Sequence, residues 1–177
     1  VPSDVPPAER IPRPPFWGRR AVRGDELDLP TIAGYLNRNA LYRGQWGFRQ
    51  GQNLSQEEWQ AMVAREAEPV RRRWVAKARA EGMLDPALAY GYWPCASDRN
   101  AVLIHDPDSG EELARIDFPR QAGERSRHLC LSDFFRPQGA DPVGDERDWF
   151  PAAAWDAGAR DVIALSVVTM GAVATEH

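Results

Sequence analysis

The chain has 177 residues, a formal net charge of −4, 43% hydrophobic and 27% charged residues. That balance suits a soluble globular domain with its own core and gives no global basic field for nucleic acid or an anionic membrane surface. No apolar run approaches the roughly 20 residues that a membrane-spanning helix needs.

The chain opens on VPSDVPPAERIPRPP, without a leading Met. Each Pro fixes its own φ and disfavours helix in the residue before it, so residues 1–15 are expected to form an extended linker. Composition and start together predict a segment of a longer chain. Residues 16–177 are then one ordered module, beginning at Phe16, Trp17 and Gly18. Seven Trp predict several large anchors in a core or an interface.

Asp28 can cap a helix that tolerates Pro30 in its first turn. Leu29, Ile32, Ala33 and Leu36 share one face of it, and it is expected to end near Ala40. LYRGQWGFRQGQNL, residues 41–54, mixes aromatics with Gly and polar residues and reads as a packed loop. Ser55 and Glu58 form an S-x-x-E capping box. Trp59, Met62 and Val63 continue that helix. Pro69 should interrupt it, because an interior position needs an N–H. A new helix then carries Val70, Trp74, Val75 and Ala78 to a stop at Gly82. Its polar face, Arg71 to Arg73 with Lys77 and Arg79, reads as a solvated surface; the sharper alternative is docking to an acidic partner.

From Leu88 the period changes to two. LAYGYWPC is a strand candidate. AVLIHD and ELARIDFP flank the turn-rich PDSGE, so residues 101–118 are expected to form an antiparallel hairpin, with Leu103 and Ile116 facing the core or a covering helix. HLCLSDFF reads as a short strand ending in a turn, and DVIALSVVTMGAV as a central strand. Helices first and antiparallel strands after them make an α+β pattern, not repeated βαβ units. The expected architecture is N-terminal helices packed on a twisted antiparallel sheet.

The chemical motifs are sparse. No H-x-x-H, H-E-x-x-H or C-x-x-C spacing occurs, so metal is disfavoured. Ser132 is outside a G-x-S-x-G elbow. Strand alternation would place His128, Cys130 and Ser132 on one face, but no orienting group for a nucleophile follows from the sequence. Asp133 reads as a turn residue that bonds backbone N–H groups. Cys95 and Cys130 are expected to be reduced, buried thiols, with a single disulfide as the alternative. No phosphate-cradling glycine loop is present, and Arg71–Arg73 alone are a weak argument for nucleic acid.

PPFWG, YLNRNALYRGQWGF, YGYWPC, FPRQ, LCLSDFF and VIALSVVTMG follow one another in that order. Together they give a chain that resembles the activation domain of cobalamin-dependent methionine synthase. The resemblance implies a module, 16–177, that lacks the C-terminal part of the family domain. It implies S-adenosylmethionine and cobalamin as cofactors of the parent enzyme, with neither tightly bound to this piece. The implied role is reductive reactivation of cob(II)alamin in methionine biosynthesis, in the cytoplasm. The implied partners are the cobalamin-binding domain of the same chain and a flavodoxin-like or reductase electron donor, with no nucleic acid and no membrane. In the family, the segment like LCLSDFF is structural. No residue is expected to be catalytic or to bind metal.

Two departures carry weight. The family's R-x-x-x-G-Y-P motif does not occur in the sequence. The acidic residue that the family often places in the Y-L-N segment, against the methyl donor, is Asn37 here. Asn keeps an acceptor oxygen and loses the charge. Asn37 is the one candidate donor-binding residue, placed by the expected helix near its C-terminal end. The alternative reading is a docking module that has lost donor binding and has no catalytic role.

Overall fold

The computed structural model describes residues 4–6, 10–48, 55–123 and 127–176. They fall into two units, one of residues 1–21 with 89–167 and one of residues 22–88 with 168–177. The described residues include five strands of one antiparallel sheet: β1 (Gly18–Arg23), β2 (Ala87–Asp98), β3 (Ala101–His105), β4 (Glu112–Asp117) and β5 (Asp161–Thr169). Their order is β1-β2-β3-β4, with β5 paired to β2 off that path.

The expected hairpin is present. β3 and β4 are antiparallel, pairing Val102 with Ile116 and Leu103 with Arg115, with a register shift at Ile104/His105. Asp106 closes the turn by accepting from the N–H groups of Asp108 and Ser109 at 2.9 and 2.8 Å. Ile116 packs with Cys95, Val102, Ile104 and Ile163 in one core cluster. Leu103 is also buried, on the opposite face from Val102, since side chains alternate along a strand. β3 is thus buried along its whole length, as a strand covered on both faces is.

In the same unit, Phe150, Ala159, and Ala154 and Trp155 of α5 (Ala152–Asp156) form a second cluster, against which Trp17 and Trp149 pack. Trp17 and Trp149 stack with ring centroids 6.4 Å apart. Residues 10–15 carry no helix or strand, yet Ile11 is 4% exposed and its N–H donates to Glu146 Oε1. Glu146, in α4 (Glu146–Trp149), also pairs with the buried Arg136. Both cysteines are free and buried. Burial pushes the Cys95 thiol well above its ordinary range, with the Asp161 carboxylate adding to the effect.

Two expectations fail here. HLCLSDFF is not a strand: residues 127–130 are irregular and Leu131–Phe134 form a 3-10 turn. His128, at φ 53, leaves the extended region, and Asp133 closes the turn by accepting from Cys130 N–H at 2.9 Å. Asp133 also holds Arg120 through two contacts of 2.7 and 2.8 Å. β5 is not central. It is buried only at Asp161 and Ile163, and Val167 is 74% exposed. Its apolar composition therefore does not report a covered position.

In the other unit, α1 (Leu29–Gly34) starts as expected, with Asp28 accepting from Thr31 N–H at 3.2 Å. It stops at Gly34, short of Ala40, since Gly is a poor helix interior residue. Residues 41–45, expected as loop, lie in a π-helical turn over Ala40–Gln45 with Tyr42 buried; residues 49–54 of that expected loop lie outside the described residues. α2 (Gln56–Met62) opens on the reciprocal Ser55–Glu58 box. Pro69 does not break the chain's helical course. A π-helical turn at Val63–Ala67 leads into α3 (Glu68–Ala80), with Glu68 N–H donating to Val63. The widened turn absorbs the missing Pro N–H by shifting the hydrogen-bond register one residue early. Gly82 ends α3 at φ 58; its N–H reaches Arg79 and that of Met83 reaches Ala78, the paired closure of a Schellman motif. α6 (Ala172–Glu176) belongs to this unit.

Candidate functional site

The helical unit places its chemistry around Glu68, the first residue of α3. Tyr42 O–H donates to Glu68 Oε1 at 2.7 Å. Arg71, one turn on, donates to Oε2 at 2.9 and 3.2 Å. Arg38 approaches Oε1 at 3.4 Å from the other side. Glu68 is 14% exposed, so its charge is stabilised by donors rather than by water. The Tyr42 hydroxyl and then the Arg71 guanidinium hold its carboxyl below the usual range. Burial, helped by the Glu68 carboxylate, pushes the Tyr42 phenol up. Arg38, Asn39, Tyr42, Trp59, Glu68 and Arg71 help to line a hollow of about 520 Å³. Trp59 closes its inner side: Nε1 donates to Phe48 at 3.0 Å, and the Arg43 guanidinium lies 3.9 Å from the ring centre.

This arrangement predicts a pH effect with a definite sign. A carboxyl whose folded value is depressed contributes stability above its unfolded value, near 4.3, and loses it as pH falls through the folded value. Glu68→Gln should flatten that part of the acid-unfolding curve, followed by circular dichroism. An unchanged acid limb would show that Glu68 is not coupled to folding.

Asn37 lies beside this centre in sequence and outside it in chemistry. It is exposed. Its Oδ1 accepts from Ala40 N–H at 3.0 Å, and its carbonyl accepts from Leu41 N–H at 3.0 Å. Asn37 thus caps the start of the helical run 38–45. The expected position near a helix C-terminus is corrected, and with it the sign of a charge there: a carboxylate at a helix start is favourable. Asn37→Ala should cost about 0.5–2 kcal/mol and Asn37→Asp should cost nothing, as measured by urea unfolding. Equal losses in both variants would contradict the cap.

Of the other residues singled out, Arg71 is held by Glu68, whereas Arg72 is 78% exposed and 3.9 Å from it, as a solvated face requires. Cys130 Sγ lies 3.1 Å from Ser132 Oγ and 3.5 Å from the Phe118 carbonyl. Ser132 donates to the Arg99 carbonyl at 2.9 Å, and His128 Nδ1 faces the Gln121 carbonyl at 3.3 Å. The structure does not assemble His128, Cys130 and Ser132 into a nucleophilic group. Among the described residues no cluster of His, Cys, Asp and Glu could hold a metal ion, and no helix is long and apolar enough to cross a membrane. Sequence reading missed Tyr42 and Glu68, which are 26 positions apart; the i, i+3 pair Glu68–Arg71 was the signal available for the second.

No protein-family model matches the chain. Methionine synthase of Mycobacterium tuberculosis is 34% identical over 173 residues, 96% of this chain and 13% of its own length. Methionine synthase of Mycobacterium leprae is 35% identical over 152 residues, 84% of this chain and 12% of its own length. The chain therefore spans about an eighth of these relatives. Among solved structures, the MetH reactivation domain bound to AdoHcy superposes with a TM-score of 0.59 at 19% identity, over 91% of this chain and 44% of that one. At that identity the superposition speaks for the fold alone, and the fold agrees with the sequence match: the chain is homologous to methionine synthase over most of its length and has the fold of the reactivation domain.

Proposed function

We propose that this chain is part of the reactivation module of a cobalamin-dependent methionine synthase, in which residues 16–177 are the first portion of the S-adenosylmethionine-binding domain and residues 1–15 lead in from a preceding domain. The observation that carries this is the match at 34% identity across nearly the whole chain, together with the fold of a domain that has been solved with AdoHcy bound. The parent's partners would be its own cobalamin-binding domain and a flavodoxin-like or reductase electron donor, in the cytoplasm.

When bound, S-adenosylmethionine supplies the methyl group that returns oxidised cobalamin to the catalytic cycle. A zwitterionic methyl donor needs an acceptor for its ammonium and a cation for its carboxylate. The described residues meet this only in part. Asn37 is exposed, and its oxygen has a second lone pair beyond the one given to Ala40. The Arg of R-x-x-x-G-Y-P is not in the sequence, and Arg71 is already committed to Glu68. The chain's own contribution is therefore a scaffold: the Asn37 cap and the Tyr42–Glu68–Arg71 centre fix the segment that presents Asn37.

Calorimetry with S-adenosylmethionine tests this. The chain alone should bind weakly or not at all, since one lost charge-assisted contact is worth roughly 1.5–3 kcal/mol, about ten- to a hundredfold in affinity. In the longer polypeptide, Asn37→Asp should tighten binding by about 1 kcal/mol or less and Asn37→Ala should weaken it. A micromolar dissociation constant for the chain alone would mean that the donor site lies elsewhere on it.

A further inference from the structure

The Pro-rich start of the chain is seated on the unit to which residues 89–167 belong. Ile11 is buried and Pro14 half-buried, while Pro12, Arg13 and Pro15 are exposed. The two inward positions are three apart. That is the period of a polyproline II helix, three residues per turn, and each Pro holds the φ that such a helix needs. Pro12, Arg13, Pro14 and Pro15 line a hollow of about 310 Å³ together with Tyr92 of β2 and Val162 and Ala164 of β5.

Specific contacts hold this stretch at both ends. Ile11 N–H donates to Glu146 Oε1 at 3.4 Å. Phe16 sits edge-on to Tyr90 and Tyr92, with ring centroids 5.5 and 5.2 Å apart, and the Arg20 guanidinium covers its ring at 3.8 Å. Aromatic pairs of this geometry add to what burial alone contributes. Further upstream, Asp4 accepts from Arg127 at 2.8 and 3.2 Å; both side chains are exposed, so this pair adds little. A tether needs none of these contacts. An aromatic-lined groove that takes a Pro-rich segment is a peptide-recognition mode, effective because the stiff segment loses little freedom on binding.

We propose that this face is a binding groove for Pro-rich peptides of the form apolar–Pro–x–Pro–Pro–aromatic, and that residues 11–16 occupy it in cis. The chain's own strap closes the groove to such a peptide from elsewhere until it lifts. This does not depend on the reading of the chain as part of a synthase. A fluorescein-labelled peptide of residues 4–16 tests it by anisotropy, against the chain of residues 1–177 and two strap variants, Ile11→Asp and Phe16→Ala. Asp at position 11 brings a second carboxylate beside Glu146, and Ala at 16 removes the ring between Tyr90 and Tyr92, so each variant should free the groove. The peptide should bind the variants and bind the parent at least about tenfold more weakly, since a tethered segment competes at an effective concentration near millimolar. A scrambled peptide should bind none of them. With folding checked by circular dichroism, absence of binding to the folded variants, or equal binding to variants and parent, overturns the inference. Trypsin gives a second reading on the unmodified chain. Arg10–Ile11 is the one Arg bond of the strap not followed by Pro. It should be cut at least about tenfold more slowly in the chain than in the free peptide, as seating protects it. Equal rates would show that the strap is not held, and the inference fails.

Discussion

Glu146→Ala should unfold at markedly lower denaturant than the parent chain, with a loss of about 3–5 kcal/mol. Glu146 is 2% exposed and Arg136 4%. Removing the carboxylate leaves a guanidinium in the interior with its main counter-charge gone, and the desolvation cost of that cation is then no longer offset. The same carboxylate accepts from Val143 N–H at 3.1 Å and from Ile11 N–H at 3.4 Å, so two chain segments lose an anchor together. The double variant Glu146→Leu with Arg136→Met should lose less than Glu146→Ala, because no charge stays buried. Limited proteolysis should cut the first 15 residues faster in Glu146→Ala. A loss under about 1 kcal/mol would place this pair with ordinary surface ion pairs and contradict its burial.

Gly91→Ala is the second large effect. A Cβ at Gly91 would lie 2.1 Å from the Gly18 carbonyl oxygen and 2.9 Å from the Arg19 Cα. Both are backbone atoms of β1, so no rotamer change relieves the clash. Over-packing of this kind costs about 1–3 kcal/mol, and the upper end applies where backbone must move. Gly44 provides the contrast. Nothing lies within 4 Å of a Cβ there, its backbone is helical, and Gly44→Ala should be neutral or gain up to about 1 kcal/mol. Thermal unfolding of the two variants side by side checks both. Similar midpoints would show that β1 and β2 do not approach closely at Gly91.

The features that could be read in the sequence are those that depend on neighbours in the chain. Ser55 and Glu58 cap α2 because three residues separate donor from acceptor. Gly82 ends α3 because one residue with φ 58 suffices. PDSGE turns the β3–β4 hairpin for the same kind of local reason. What escaped depends on partners distant in sequence or on what a segment packs against. Tyr42 meets Glu68 across 26 positions. Pro69 is tolerated because the preceding turn widens, and no residue type in VAREA announces a π-helical register. The alternation in HLCLSDFF loses to the reciprocal bond between Asp133 and Cys130. The apolar run in β5 reads as central, but composition records what a strand can cover, and Leu165, Val167 and Val168 are exposed. Asn37 stands at the start rather than the end of a helical run because α1 stops at Gly34.

The proposed role in a cobalamin-dependent synthase is tested most directly by recovery from the oxidised state in the full-length polypeptide. The enzyme is prepared with its cobalamin as cob(II)alamin and supplied with S-adenosylmethionine and an electron donor, and the loss of the cob(II)alamin absorption is followed. Recovery is expected in the intact polypeptide and none when residues 16–177 are deleted, while methyl transfer started from methylcobalamin proceeds in both. Recovery at an undiminished rate without residues 16–177 would contradict it.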